Sequence, residues 1–279
     1  MKKLLCLILV LLGANNAQAQ DSTYQRTHSF FITWGYNRTQ YENTDIHFQG
    51  QDFDFTMKDV SAQDLPTAYE ARTYLNPLRF TIPQFDFRVG FFLSEKLSVS
   101  AGWDHMKYRI TRYQRVTMDG TVSETFSPTY AGIYQNEDFD LIPSFLSMEH
   151  TNGLNYVRLG VEWHEQIWQD KAERFHLDAV LGLSIGPVFT WTDSFVLDRR
   201  YKNWLHLAGW GVSGQLALRF RYKDTFYVQY QHQNGYIDLS DIIFMDELPN
   251  RAEHNVKFNE RSICIGAQIP IFIGGNPNK

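Results

Sequence analysis

One histidine, His232, is a candidate for the chemistry of a hydrolase. His232 lies in the run Tyr230-Gln231-His232-Gln233-Asn234-Gly235, and a histidine beside a serine can activate that serine for attack on an acyl group. The run lacks the nucleophile, because Gln233 occupies the position where such a pattern needs serine and Ser240 is distant in sequence. His232 is therefore a weak catalytic candidate, and the residues favour an interfacial histidine beneath a loop.

A second group of residues carries charge on alternate positions of short apolar segments. The group consists of Asp86, Arg88, Asp104, Arg158, Glu162, His164, Asp178, Arg219 and Arg221. Charges enclosed in a narrow interior are costly unless they pair, and here four arginines balance four carboxylates. We expect salt bridges that fill the interior. A narrow solute channel along the same charges is the functional alternative.

His164 and Asp178 flank a short predicted turn and are expected to face each other. Such a pair could relay a proton or supply half of a metal site, but no third ligand is evident from the sequence. A structural hydrogen bond between them is favoured, and neither a metal nor any other cofactor is predicted.

An acidic run, Asn136-Glu137-Asp138-Phe139-Asp140, lies in one of the long predicted loops. It could attract calcium or the divalent ions of a lipopolysaccharide layer, but its spacing is not that of an ordered calcium loop. A solvated acidic surface is the favoured interpretation.

These residues belong to eight segments in which apolar side chains alternate with small or polar ones. The segments are 29–37, 84–91, 97–104, 157–164, 176–185, 208–221, 226–233 and 262–271. Period-two alternation is typical of strands with one apolar face. Very short connections alternate with long ones at about 39–80, 114–152, 193–205 and 236–259, the rhythm of a membrane barrel. The pattern predicts an all-β, eight-stranded antiparallel up-and-down transmembrane barrel with long extracellular loops and short periplasmic turns.

A soluble secreted barrel or sandwich is the main structural alternative, and in it the apolar faces would point inward. Charged residues on faces otherwise rich in glycine and serine favour the membrane barrel, as does the rhythm of the connections. In the first long connection, Phe48, Phe53 and Phe55 alternate with Asp52 and Asp54. This alternation predicts strands that continue above the membrane.

The N-terminal residues predict export. Lys2 and Lys3 precede an apolar run and the small-residue pattern Ala17-Gln18-Ala19, which together describe a cleavable signal over residues 1–19. Residues 20–279 then form a single domain with 24 basic against 31 acidic residues and no basic run. That balance argues against a nucleic-acid partner. Only Cys264 remains, so no internal disulfide is expected.

The strands, turns and export signal resemble the small OmpA-type outer-membrane barrels over essentially the whole mature chain. Several segments resemble more closely an uncharacterised family of bacterial outer-membrane proteins, namely 45–48 with 52–55, 74–77, 81–84, 104–108 and 153–156. The resemblance implies the fold and an outer-membrane location, and it implies no chemistry.

The expected function is that of a monomeric outer-membrane barrel with a largely plugged lumen. It would contact outer-membrane lipid and lipopolysaccharide, and it would act in envelope integrity or bind a protein or glycan through its loops, since a rigid scaffold usually carries its function on loops. A lipid A deacylase-like hydrolase using His232 is one alternative, and the narrow channel is the other.

Overall fold

A computed structural model describes residues 26–270, apart from residues 75, 77, 78, 80, 81, 198, 204 and 246–248 and the side chains of residues 151 and 152. The predicted signal over residues 1–19 and the end of the eighth predicted strand at Ile271 lie outside the described residues. Within the described part, no helix is long and apolar enough to span a membrane.

Eight antiparallel strands form a closed barrel. They are β1 (Ser29–Tyr41), β5 (Phe85–Phe92), β6 (Leu97–Ile110), β9 (Leu146–Gln169), β10 (Phe175–Thr190), β13 (His206–Tyr222), β14 (Phe226–Ile242) and β15 (Arg251–Pro270). Each pairs with the next, and β1 pairs with β15 from Ser29 opposite Pro270 to Tyr41 opposite Phe258. This closure leaves no free edge in the barrel wall and confirms the predicted fold class.

The outer face of the wall is apolar, and the inner face is polar. Leu159, Leu183 and Ile263 point outward and are 67, 73 and 65 % exposed, whereas the inward Arg88 and Asp104 are at most 2 % exposed. A continuous apolar surface of this kind marks contact with lipid. We call this surface the apolar belt. It excludes the soluble alternative, because in a soluble barrel the same side chains would be the core.

Several barrel strands are much longer than a membrane requires. β9 has 24 residues and β15 has 20, whereas a strand crosses the hydrocarbon layer with about 9–11 residues. The additional length lies at the end of the barrel opposite the chain termini. The four long connections contain additional short strands, and the predicted extension of strands in the first one is confirmed.

The connections contribute seven short strands and one helical turn. These are β2 (Thr44–Gln49), β3 (Phe53–Val60), β4 (Ala62–Gln63), α1 (Ala71–Tyr74), β7 (Gln114–Val122), β8 (Gly132–Leu141), β11 (Asp193–Val196) and β12 (Arg199–Lys202). The sheet continues from β15 through β2, β3 and β7 to β8, while β11 pairs with β9 and β12. We call these short strands, with the adjoining ends of β6, β9, β14 and β15, the cap.

The cap has its own apolar core. Along β15 the apolar side chains of Ile263 and Ile265 point outward, but nearer the cap Phe258 and Val256 point inward and are buried. They join a cluster that includes Phe48, Phe55, Met57, Met118, Phe145 and Met148. The inner face of the barrel therefore changes from polar to apolar where the wall leaves the membrane.

Candidate functional site

An ion-pair network fills the middle of the lumen. Arg88 donates hydrogen bonds to Asp86 at 3.1 Å and to Glu162 at 3.2 Å. Arg158 places Nε 2.7 Å from Asp104 Oδ2 and donates from Nη2 to Oδ1 at 3.0 Å. All five side chains are at most 2 % exposed. We call these five residues, with Glu260 described below, the ion layer.

A second group of charges lies nearer the terminal end of the barrel. Asp178 accepts hydrogen bonds from Arg221 Nε at 2.6 Å and from Arg26 Nη2 at 2.7 Å. Arg219 donates to Gln229 Oε1 at 2.7 Å, and its guanidinium lies over the ring of Tyr227, 4.2 Å from the centroid. Arg219 therefore contacts an amide and an aromatic ring, whereas the charge balance of the sequence predicts a carboxylate partner.

His164 and Asp178 do not bond to each other, so that prediction was wrong. The reason is the register of β9 against β10: Asp178 pairs with Gln166 and His164 pairs with Val180, so the two residues are offset by two positions along the strands. His164 Nε2 instead contacts Ser98 Oγ at 2.9 Å, and its ring packs against Phe92.

Two lumenal charges were missed by the sequence analysis. Arg26 precedes the first strand and is fixed there because Glu95 accepts hydrogen bonds from the backbone N–H groups of Arg26 and Thr27. Glu260 points inward from β15 and is fully buried. The alternation on β15 extended by one residue pair beyond Ser262 would have found Glu260, whereas Arg26 had no such signal.

Glu260 makes a carboxylate-rich group with Asp86 and Asp104. One oxygen from each residue lies within 4.8 Å of the other two. Glu260 accepts only long hydrogen bonds, from Thr39 Oγ1 at 3.5 Å and Ser262 Oγ at 3.4 Å. Of the sites in the described residues, this group has the oxygen donors that a cation would need. An acidic cluster alone does not establish a metal site, and none is inferred.

Apolar side chains of the cap pack together above the ion layer. Phe55 is buried against Phe48, with ring centroids 5.1 Å apart, and against Phe145 at 5.8 Å. Phe258 and Met106 also belong to this cluster. Among the described residues, the interior thus contains ion pairs in the ion layer and packed apolar side chains in the cap.

Two buried histidines lie within the cap core, outside the membrane-spanning part of the wall. Burial lowers the pKa of His150 to about 3, with repulsion from His254 adding to the effect. Burial likewise lowers the pKa of His254 to about 4. Neither ring nitrogen of His254 has a hydrogen-bond partner among the described residues, so both rings are packed as neutral side chains.

His47 on the cap surface behaves in the opposite way. Partial burial lowers the pKa of His47, but hydrogen bonds to Asp54 at 2.9 Å and Glu253 at 3.1 Å outweigh that effect, so its pKa is raised. The acidic run 136–140 forms half of β8 on the same cap. Arg115 on β7 donates to Asp138 at 3.2 Å and to Asp140 at 3.3 Å.

His232 points outward at the cap side of the apolar belt. Asn259 Nδ2 lies 2.9 Å from His232 Nε2 and also donates to Asn234 Oδ1 at 2.8 Å. Gln233 points into the lumen instead, where it donates to Asp104. The hydrogen-bond partner of His232 in the described structure is thus an amide, and the arrangement offers no serine that the ring could activate.

No protein-family model matches the sequence, and no curated protein matches it. Solved structures that are similar include OprG from Pseudomonas aeruginosa, with 10 % identity over 88 % of this chain and 97 % of that chain at a TM-score of 0.40. AlkL, with 8 % identity over 94 and 99 % of the two chains, has a TM-score of 0.38. OmpT from Escherichia coli, an outer-membrane protease, has 9 % identity over 91 and 100 % at 0.38. These values carry no argument about function.

Proposed function

We propose that this chain is an outer-membrane barrel that is closed to solutes and presents a folded cap at the cell surface. Its role would be envelope integrity or surface interaction, carried by the cap. The observation that carries the proposal is the filling of the interior at two levels, by the ion layer within the wall and by the apolar core of the cap. The end with the long connections would face outward.

The filled interior weighs against the narrow channel. An eight-stranded barrel encloses a space that side chains can fill completely. Here Arg88 and Arg158 bridge inward-facing carboxylates of different strands, and Phe55, Phe145 and Phe258 close the space above them. Passage of an ion would require breaking buried ion pairs and then opening the cap core, which are both costly steps.

The structure of the described residues gives the hydrolase alternative little support. His232 is at the membrane face, as such chemistry would need, but it contacts an asparagine amide. Within the described part of the chain the geometry brings no nucleophile to His232, and the proposal therefore assigns it no catalytic role.

The cap surface is the part of the molecule that can contact a protein or glycan. Tyr113 and Ile133 are 78 and 73 % exposed, on the β7–β8 side of the cap. β8 ends the sheet and bears Glu137, Asp138 and Asp140. Exposed aromatic and aliphatic residues beside carboxylates form a surface on which a partner can dock. We infer that the chain works as a monomer, because the barrel closes on itself.

The location is tested by fractionating inner and outer membranes and comparing gel migration of boiled and unboiled samples. The proposal expects outer-membrane protein whose unboiled form migrates differently, with the cap digested when protease is added to intact cells. A protein found in the periplasm, or a cap protected in intact cells, would contradict it.

The role is tested by complementing a strain that lacks the protein. Wild type is compared with a Tyr113→Ser, Ile133→Ser variant, whose substitutions alter the cap surface and leave its core intact. If the role is surface interaction, only wild type restores attachment. If the role is envelope integrity, both restore detergent resistance. Failure of wild type to alter either property would refute both roles.

A further inference from the structure

A row of three basic side chains crosses the outside of the barrel on neighbouring strands. Arg38 on β1 lies directly opposite Arg261 on β15, and Arg261 lies directly opposite His232 on β14. All three point outward, and both arginines are exposed. Directly opposed side chains on antiparallel strands have Cβ atoms about 4.5–5.5 Å apart, and like charges in that relation are destabilising. We call these three residues the cationic row.

The chain itself does not neutralise this row. Among the described residues, no carboxylate oxygen lies within 4.0 Å of Arg38 or Arg261. Arg38 donates to the carbonyl of Asn37. The carboxylate in its vicinity, Asp64, is already bonded to Thr39 N and Gln84 Nε2.

Six other cations of the described chain lie within 4.0 Å of a carboxylate: Lys58, Lys96, Arg115, Arg200, Arg251 and Lys257. Arg199 and Lys202 on β12 form no such ion pair with a described residue, but neither of them directly opposes another arginine. Among the described strands, the cationic row is the place where two arginines are direct cross-strand neighbours. Its partner is therefore expected outside the chain.

The height of the cationic row along the barrel indicates which part of the membrane it contacts. The outward residues one step nearer the terminal end are Tyr36, Ile263 and Tyr230, which end the apolar belt, and one step nearer the cap are Gln40, Asn259 and Asn234. Tyrosines are enriched at the membrane interface. The row thus lies at headgroup height, on the side of the barrel that carries the cap.

His232 adds an imidazole ring to the row, and its Nε2 lies 2.9 Å from Asn259 Nδ2. Two guanidinium groups and one imidazole N–H on three adjacent strands form a set of donors for a phosphate, whose oxygens guanidinium groups bind in a paired geometry.

We propose that the cationic row binds a phosphate group of lipid A in the outer leaflet. The inference rests on the proposed outer-membrane location with the cap outward. It gives His232 a role in lipid contact, and it makes the repulsion between Arg38 and Arg261 a feature that the bound lipid relieves.

The test uses full-length protein folded in neutral detergent free of lipopolysaccharide, titrated with lipid A and followed by native mass spectrometry. The variant is Arg38→Gln, Arg261→Gln. The control is Lys171→Gln, Arg174→Gln, which removes the same charge from exposed residues in the turn between β9 and β10. We expect lipid A to bind the variant at least about tenfold more weakly than wild type, since two charge-assisted contacts are lost, and to bind the control like wild type.

The temperature of thermal unfolding, measured without and with lipid A, gives a second readout. Without lipid A, the variant should unfold at the same temperature as wild type or higher, because the repulsion is gone. With lipid A, only wild type and the control should gain stability. Equal lipid A binding by variant and wild type would overturn the proposal, as would equal binding of dephosphorylated lipid A. Equal binding of phosphatidylglycerol would overturn lipid A as the source.

Membrane fractionation separates this inference from the proposed function. If wild type is absent from the outer membrane, the proposed function fails and the lipid site fails with it. If wild type is in the outer membrane but the variant retains lipid A equally, only the cationic row is refuted.

Discussion

The contact between Asp104 and Arg158 should be the most sensitive point of the ion layer. Arg158 approaches both oxygens of Asp104, at 2.7 and 3.0 Å, and lies 3.7 Å from Asp86. Both residues are at most 2 % exposed. Replacing Arg158 by glutamine leaves Asp104 buried, with Gln233 at 3.0 Å as its remaining hydrogen-bond donor among the described residues. Removal of one partner from a buried ion pair costs about 3–5 kcal/mol.

The assay is urea unfolding of the barrel in phospholipid vesicles, followed by tryptophan fluorescence and by the migration of unboiled samples. Arg158→Gln and Asp104→Asn should each lower the free energy of unfolding by about 3–5 kcal/mol. The double variant should lose less than the sum, since residues in one network couple by about 0.5–3 kcal/mol.

The matched control for this experiment is Arg115→Gln. Arg115 also approaches two carboxylates, at 3.2 and 3.3 Å, but it is 63 % exposed on the cap. Exposed ion pairs contribute about 0–1 kcal/mol. If Arg158→Gln cost no more than Arg115→Gln, the ion layer would not be holding the lumen closed, and the reasoning from burial would be refuted.

Three further predictions concern the same two levels. Glu260→Gln should leave the free energy of unfolding unchanged or raise it, because it removes a buried carboxylate without an arginine partner within 4.0 Å in the described structure; a loss as large as that of Asp104→Asn would contradict this. Phe55→Ala should destabilise the cap by about 3–5 kcal/mol, seen as faster amide exchange in β2, β3 and β7, whereas the exposed Tyr113→Ala should not. The cap should loosen as the pH falls from about 6.5 toward the pKa of about 4 of His254, measured by limited proteolysis, and His254→Leu should reduce that loosening.

The sign of the pH prediction follows from proton uptake. Between those two pKa values the unfolded chain binds a proton at His254 that the folded cap does not bind. The stability of the cap therefore decreases as the pH decreases. His47 works in the other direction, because its raised pKa adds stability at low pH that is lost as the pH rises. It is partly exposed, so its contribution is small. A cap that became more resistant to protease at pH 4.5 than at pH 7 would show that His254 is not buried as described.

The barrel wall could be predicted from the sequence because every strand alternates outward apolar side chains with inward small or polar ones. An outward Leu159 or Leu183 alternates with an inward Gly160 or Gly182, and a two-residue period requires only local information. The identity of the outward face followed from charge, since an arginine such as Arg88 cannot face lipid cheaply.

The cap could not be predicted in the same way, because alternation does not indicate which face of a strand is buried in a protein core. Phe48, Phe53 and Phe55 alternate like membrane residues but point into a protein core. The signal that was present is a change of parity: on β15 apolar side chains occupy 263, 265 and 269 and then 258 and 256. That change marks the height at which lipid outside is replaced by water.

Which residues of distant strands contact each other could not be predicted. The pairing of Arg26 with Asp178 joins residues 152 positions apart, and the register that offsets His164 from Asp178 depends on how β9 fits β10. Four of the predicted lumenal carboxylates do meet arginines, as charge balance in an enclosed space requires.

Conductance of the purified protein in planar lipid bilayers tests most directly whether the barrel is closed. The protein is first inserted into lipid vesicles, and its folding there is verified by the altered migration of the unboiled sample. These vesicles then deliver the protein to the planar bilayer. The filled ion layer and the apolar core of the cap predict no current steps in wild type at neutral pH. Reproducible unitary steps from protein shown to be folded and inserted would contradict a closed lumen and would favour the channel.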